Sequence, residues 1–276
     1  MARREGFASV LRRAVSDFQK NGFTSQRQLE FWVSQLTEAL KSERLSNHEI
    51  EIRLRKAFGA IYNRLINKGQ ILRNHPSVER WQIDRLTPKM RQVLDQKILA
   101  SVNLIKLNQD EVQPRVLRRF QGWATSIPDG GSKVKDKEAV DNIAKGVNTS
   151  YEIRRVQNDQ GHKLIASINE VVAQGNNAIA VEWHSHWKQA GYNYREDHKD
   201  RDKEIYVIKG SWALDRGLIK KGPNPYYDDL TKVGEEINCR CYATYIYSIT
   251  QLPVSYLTEK GKSELDAARE RVHKRA

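Results

Sequence analysis

Apolar residues recur at intervals of three and four through the first 107 residues, which is the spacing of one face of an α-helix. Gly22 and Gly69 interrupt this pattern, and Thr87-Pro88 provides a helix start with proline at the first helical position. Each apolar stripe needs a partner to cover it. The spacing therefore predicts about four packed amphipathic helices, with stripes over residues 7–18, 29–40, 50–66 and 90–105.

The apolar period changes in the C-terminal half. Residues 139–147 and 164–175 still have helical spacing, whereas residues 178–183, 205–208 and 242–247 are β-branched, apolar or alternating. A polar helix is expected from Ser255 onward. The predicted fold class is therefore α+β: a helical N-terminal half followed by a small mixed α/β C-terminal domain with few short strands.

Turn-forming residues suggest where the chain divides. Pro114, Gly122, Pro128 and the run 129–131 weaken the helical pattern between residues 109 and 137. We predict a basic helical domain at 1–121, a linker at 122–136, a second domain at 137–250 and a polar C-terminal helix at 251–276.

Composition limits the compartment and the class of partner. No stretch approaches the roughly 20 apolar residues of a membrane helix, so we expect no membrane partner. The first residues lack the apolar core of a secretion signal. Two cysteines are too few for a disulfide scaffold, which favours synthesis in a reducing cytoplasm.

Positive charge is concentrated in the first half. Residues 1–150 hold 27 basic and 16 acidic side chains, whereas residues 151–276 hold 20 and 18. Such a surplus favours a polyanion as partner, either nucleic acid or an acidic protein surface. The alternative is a helical protein with solvated arginine-rich faces, because basic and acidic residues are interspersed.

Both cysteines and most histidines lie in the C-terminal half. Cys239, Cys241, His198 and either His186 or His184 offer the thiolate and imidazole donors that suit Zn²⁺. The C-x-C spacing is tighter than the usual structural zinc spacing, so two buried thiols without a metal remain an alternative. Zinc is the one candidate cofactor.

An enzyme is the competing interpretation. His186, Glu196, Asp197 and His198 offer donors for a divalent ion, as in a metal-dependent nuclease or another nucleic-acid-processing enzyme. No nucleophile elbow, zinc-protease motif, phosphate-binding loop or dinucleotide fingerprint is present. We therefore expect no enzyme and keep the nuclease as the alternative function.

Several short motifs between about residues 150 and 247 follow one another in a distinctive order. An apolar strand leads to Trp183, the element Arg195-Glu-Asp-His198 follows, and a proline-containing loop comes next. The series closes with Asn238-Cys-Arg-Cys241, an aromatic residue and a strand. This order resembles the phage head morphogenesis domain, the family of phage Mu F-like minor head proteins. The signature residues that carry the resemblance are Trp183, Arg195, His198, Asn238, Cys239, Arg240 and Cys241.

The resemblance implies a structural role in a virus particle. Members of that family are minor capsid proteins of tailed bacteriophages, which act in head morphogenesis and viral assembly. The implied partners are the portal protein, the major capsid or scaffold protein, and packaged double-stranded DNA bound without sequence preference. The implied location is the virion head, assembled in the cytoplasm of the host bacterium.

Overall fold

The computed structural model describes residues 5–128, 130–131, 136–147 and 149–273. The chain forms two compact units, and each is built from two separate stretches. The first unit comprises Met1–Leu54 and Leu99–Val156, and the second comprises Arg55–Ile98 and Gln157–Ala276. These units differ from the consecutive segments that the sequence predicts, because the chain passes from one unit to the other inside three helices.

All the secondary-structure elements assigned in the described part of the first unit are helices. It contains α1 (Phe7–Asn21), α2 (Gln26–Ser42), the first part of α3 (Asn47–Tyr62), the last part of α5 (Thr87–Ala124), α6 (Asp136–Ala144) and the start of α7 (Thr149–Gly175). Ser25 caps α2 by accepting a hydrogen bond from the backbone N–H of Gln28. Its core joins the predicted stripes of α1 and α2 to later residues, and Phe18 packs edge to face against Phe120.

Helix α5 is longer than the sequence predicts. The weak pattern after residue 109 suggests a break, but the helix continues through Pro114 to Ala124. Val116, Phe120 and Ala124 are all buried in the core of the first unit, and this burial stabilises the helix beyond the proline. Three residues of the predicted linker thus belong to α5, and residues 129 and 132–135 of that linker lie outside the described part.

The second unit contains the shorter elements and the sheet. It holds the remaining parts of α3, α5 and α7, with α4 (Arg80–Asp84) between α3 and α5. After α7 come β1 (Ala180–His184), α8 (Glu196–Asp200), β2 (Ile205–Val207), α9 (Trp212–Asp215), β3 (Tyr242–Ile246) and α10 (Glu259–His273). All three predicted strands are present, and the predicted α+β fold class is confirmed. None of the described helices is long and apolar enough to cross a bilayer.

The three strands form one antiparallel sheet in the order β2-β1-β3. Trp183 of β1 is opposite Ala243 of β3, and His184 is opposite Tyr242. Alternate residues of a strand face opposite sides of the sheet. Ala180 accordingly packs in one apolar cluster with α10, while Val181 and Trp183 pack in another that contains both cysteines.

His75 is a titratable side chain of the second unit with no exposed surface. Its Nε2 donates to Asn169 Oδ1 at 2.9 Å, its Nδ1 accepts from the Tyr247 hydroxyl, and its ring stacks on Tyr245. Burial lowers the pKa of His75 to about 4, although the hydrogen bond to Asn169 opposes this shift.

The buried His75 should make stability depend on pH. Below pH 6.5 the unfolded chain binds a proton that the folded imidazole does not accept until about pH 4, so the free energy of unfolding should fall as pH decreases across this window. The expected loss is about 3 kcal/mol. Urea unfolding of the parent chain and of His75→Gln between pH 4 and 7 measures it.

The His75→Gln variant should lose less stability with acidification than the parent chain does. His48→Gln is the matched control, because His48 is exposed. Equal pH dependence in the parent chain and in His75→Gln would contradict the assignment.

Candidate metal centre

His198, Cys239 and Cys241 come from two separate segments of the second unit. His198 lies in the single helical turn α8, and the cysteines lie immediately before β3. Cys239 and Cys241 both face the apolar cluster, while Arg240 between them is partly exposed. Successive residues of an extended chain point to opposite sides, which accounts for this arrangement.

The donor atoms of these three residues converge. The Cys241 and Cys239 sulfurs lie 3.5 and 3.7 Å from His198 Nδ1, and all three ligand atoms lie within 4.8 Å of one another. All three side chains are buried, and both cysteines are free thiols. Among the described residues this is the one group of three or more potential ligands, and it can hold a metal ion.

The two buried thiols shift each other's pKa in opposite directions. The Cys241 thiol donates a hydrogen bond to Cys239 and lowers the pKa of Cys239 to about 4; burial opposes this shift and His198 adds to it. The pKa of Cys241 is raised by the same hydrogen bond and by burial. A thiolate is the form that binds a metal, and the lowered pKa of Cys239 favours that form.

Two further donors face the Cys241 sulfur from β1 and the loop that follows it. The Ser185 hydroxyl and the Trp183 indole N–H both act to lower the pKa of Cys241. Neither of these buried polar atoms has a hydrogen-bond partner in the described structure. A donor beside a sulfur favours the charged form of that sulfur.

Asn238 sets the direction of the chain immediately before Cys239. Its backbone is left-handed, with φ of 60°, a conformation that asparagine tolerates better than most residues. Its N–H donates to Asp159 Oδ1 of α7 at 2.6 Å, and its carbonyl accepts from the Tyr192 hydroxyl at 3.3 Å. The signature asparagine therefore has a conformational role.

Arg195 lies beside the same cluster through the segment that precedes Asn238. Its Nε forms an ion pair with Glu236 Oε2, and its Nη2 donates to the Ile237 carbonyl at 3.0 Å. Trp183 packs edge to face against His198, with ring centroids 5.3 Å apart. The structure thus brings together Trp183, Arg195, His198, Asn238, Cys239 and Cys241.

Arg240 forms no ion pair with the nearby acidic residues Glu235, Glu236 and Asp197 within the described structure. The Arg240 guanidinium instead lies over the Tyr192 ring, 5.0 Å from its centroid. Glu236 is already paired with Arg195, which leaves the aromatic face as the partner of Arg240.

The other predicted donors do not join the group. His186 lies against Tyr242, and His184 stacks on the same ring while its Nε2 is 3.0 Å from Thr244 Oγ1. Glu196 pairs with Lys199, and Asp197 accepts from Arg201 Nη2 at 2.7 Å. The carboxylates that the nuclease alternative needs are therefore engaged in ion pairs.

Sequence reasoning missed three contributors: Ser185, Glu236 as the partner of Arg195, and Asp159 as the acceptor for Asn238. Glu236 is three residues before Cys239, so its position next to the signature was the available signal. Asp159 is 79 residues from Asn238, and no local pattern connects them.

Comparison with known proteins found no match. The chain matches no protein-family model, no curated protein and no solved structure.

Proposed function

We propose that this protein is a minor head protein of a tailed bacteriophage, acting in head morphogenesis at the portal and beside the packaged DNA. The observation that carries the proposal is the convergence of the signature residues. Trp183, Cys239 and Cys241 contact the buried ring of His198, while Arg195 and Asn238 lie beside them. A sequence resemblance based on scattered residues gains weight when those residues form one physical unit.

We infer that the ion this cluster holds is zinc. From Zn–S and Zn–N bonds of about 2.3 and 2.05 Å and tetrahedral angles, a sulfur and a nitrogen ligand should lie about 3.6 Å apart. The observed distances from His198 Nδ1 to the sulfurs are 3.5 and 3.7 Å. Two thiolates and an imidazole form a donor set typical of zinc.

The role of the zinc would be structural. Its three ligands are almost fully buried, and they join the loop after β1 to the entry of β3. That loop contains α8 but otherwise has little regular structure to hold it. The metal would therefore fix the loop to the sheet, and the proposal assigns no enzymatic reaction to this site.

The expected DNA contact has a candidate surface in the second unit. Residues 55–98 hold 10 basic and 3 acidic side chains, so most of the surplus positive charge of residues 1–150 lies in this segment. The three acidic residues are engaged: Asp84 with Arg80, Asp95 with Arg55, and Glu79 with the Trp81 indole.

Several cations of this segment have no acidic partner in the described structure. Arg64, Lys68 and Arg73 are exposed on the turns that follow α3. Arg80 Nη1 donates to the Ile66 carbonyl at 2.6 Å and so holds the first of these turns near α4. Such a surface suits phosphate contacts that carry no sequence information.

The zinc assignment predicts a metal content of about one ion per chain, because the described residues form one group of three ligands. Elemental analysis of the purified full chain measures it. Cys239→Ser, Cys241→Ser and His198→Ala should lose the metal, and a strong chelator should lower the melting temperature of the parent. His186→Ala is the control that should keep zinc. A parent chain that contains no metal, and whose melting temperature does not change with the chelator, would contradict the zinc assignment.

The DNA surface predicts salt-dependent binding to a short duplex of arbitrary sequence. Replacing Arg64, Lys68 and Arg73 together by Glu should reduce the slope of log affinity against log salt by about 3, roughly one per lost phosphate contact. Fluorescence anisotropy at several salt concentrations measures the slope. The control replaces the exposed Arg12, Lys20 and Arg27 of the first unit by Glu, with the same change in net charge. Equal slopes for the two variants would refute this location.

The head assignment predicts that the protein is part of the particle. Affinity-tagged full chain, produced in cells where heads containing it assemble, should co-purify with portal, scaffold or major capsid protein. Mass spectrometry of purified heads should find the chain. Its absence from the heads, with no capsid component in the affinity fraction, would refute the proposal.

A further inference from the structure

We propose that Glu236 is a positioning residue for the metal centre, and that Arg195 holds Glu236 in place. The inference rests on the zinc site proposed above and deepens it. It assigns to Glu236 the task of orienting His198 so that its Nδ1 faces the two sulfurs.

The orientation of the His198 ring is the first observation. Nδ1 faces the Cys239 and Cys241 sulfurs, and Nε2 faces the opposite direction. Nε2 is buried and has no hydrogen-bond partner within the described structure. Its neighbours on that side are Glu236 Oε2 at 3.7 Å and Asp197 Oδ2 at 3.9 Å.

Of these two carboxylates, Glu236 is the better placed. The Asp197 side chain is 53% exposed, so water screens its interaction with the ring. The Glu236 side chain is 29% exposed, and its Oε2 is buried. A buried carboxylate beside a buried ring nitrogen interacts strongly, because little water screens it.

Arg195 fixes the position of Glu236. Its Nε pairs with Glu236 Oε2, and its Nη2 donates to the carbonyl of the next residue, Ile237. One guanidinium thus holds both the side chain of Glu236 and the backbone beside it. Because Arg195 directly precedes α8, which carries His198, the same short segment supplies the ligand and the group that holds its carboxylate.

A chemical requirement connects these contacts. When Nδ1 of a neutral imidazole binds a metal, the ring proton is on Nε2 and needs an acceptor. Metal-binding histidines commonly donate that proton to a carboxylate, which fixes the tautomer and makes the ligand more basic. Glu236 is the group that satisfies this requirement here, and a movement of less than about 1 Å closes 3.7 Å to a hydrogen bond.

The test compares Glu236→Gln with Glu235→Gln in the full chain. Glu235 is the adjacent residue, is exposed, and accepts from the Lys232 backbone N–H through Oε2 at 2.8 Å, away from the ring. Zinc affinity is measured by competition with a chromophoric chelator, and the Co²⁺ absorption spectrum reports the ligand field. Melting temperatures of metal-free proteins show whether either change affects the fold itself.

Glu236→Gln should bind zinc about 10–100-fold more weakly than the parent chain and should shift the Co²⁺ bands. Glu235→Gln should match the parent in both, and all three metal-free proteins should melt at similar temperatures. Equal zinc affinities and identical Co²⁺ spectra would overturn the role of Glu236 alone. Failure of the parent chain to bind either metal would overturn the zinc site, and this inference with it.

Discussion

Antiparallel pairing of β1 with β3 is the constraint on which the rest of the site depends. The register places Trp183 opposite Ala243, and so beside Cys241, although the two residues are far apart in sequence. A shift of one residue would turn every side chain of the strand to the other face of the sheet. Cys239 and Cys241, which lie on the same side of the chain, would then both leave the apolar cluster, and neither sulfur would face His198.

The local features of the fold were predictable from the sequence. The Thr87 start of α5, the Gly175 end of α7 and all three strands depend on residues within a few positions of one another. The continuation of α5 through Pro114 was not predictable, because burial of Phe120 against α1 outweighs the local cost of the proline. Similarly, the surplus of positive charge is concentrated between residues 55 and 98, and charge totals for the two halves of the chain do not reveal this.

The candidate site was also predictable in part. Sequence reasoning selected His198, Cys239 and Cys241 from their residue types, and the structure brings their ligand atoms together. It selected His186 equally, although that ring lies against Tyr242 instead. The difference depends on the direction of the loop after β1, where Asp202 accepts from the Ser185 N–H and the Trp187 indole. Hydrogen bonds of this kind leave no repeating pattern in the sequence, so they could not be predicted from it.

The outer edge of β3 affects whether the protein can aggregate with other proteins by pairing strands. Asn74 closes part of that edge: its carbonyl accepts from the Tyr245 N–H, and its side-chain amide donates to the Ala243 carbonyl, each at 2.8 Å. An open strand edge invites pairing with a foreign strand and leads to aggregation. With those backbone groups already occupied, this small sheet is protected there from growing by the addition of strands, even at high protein concentration.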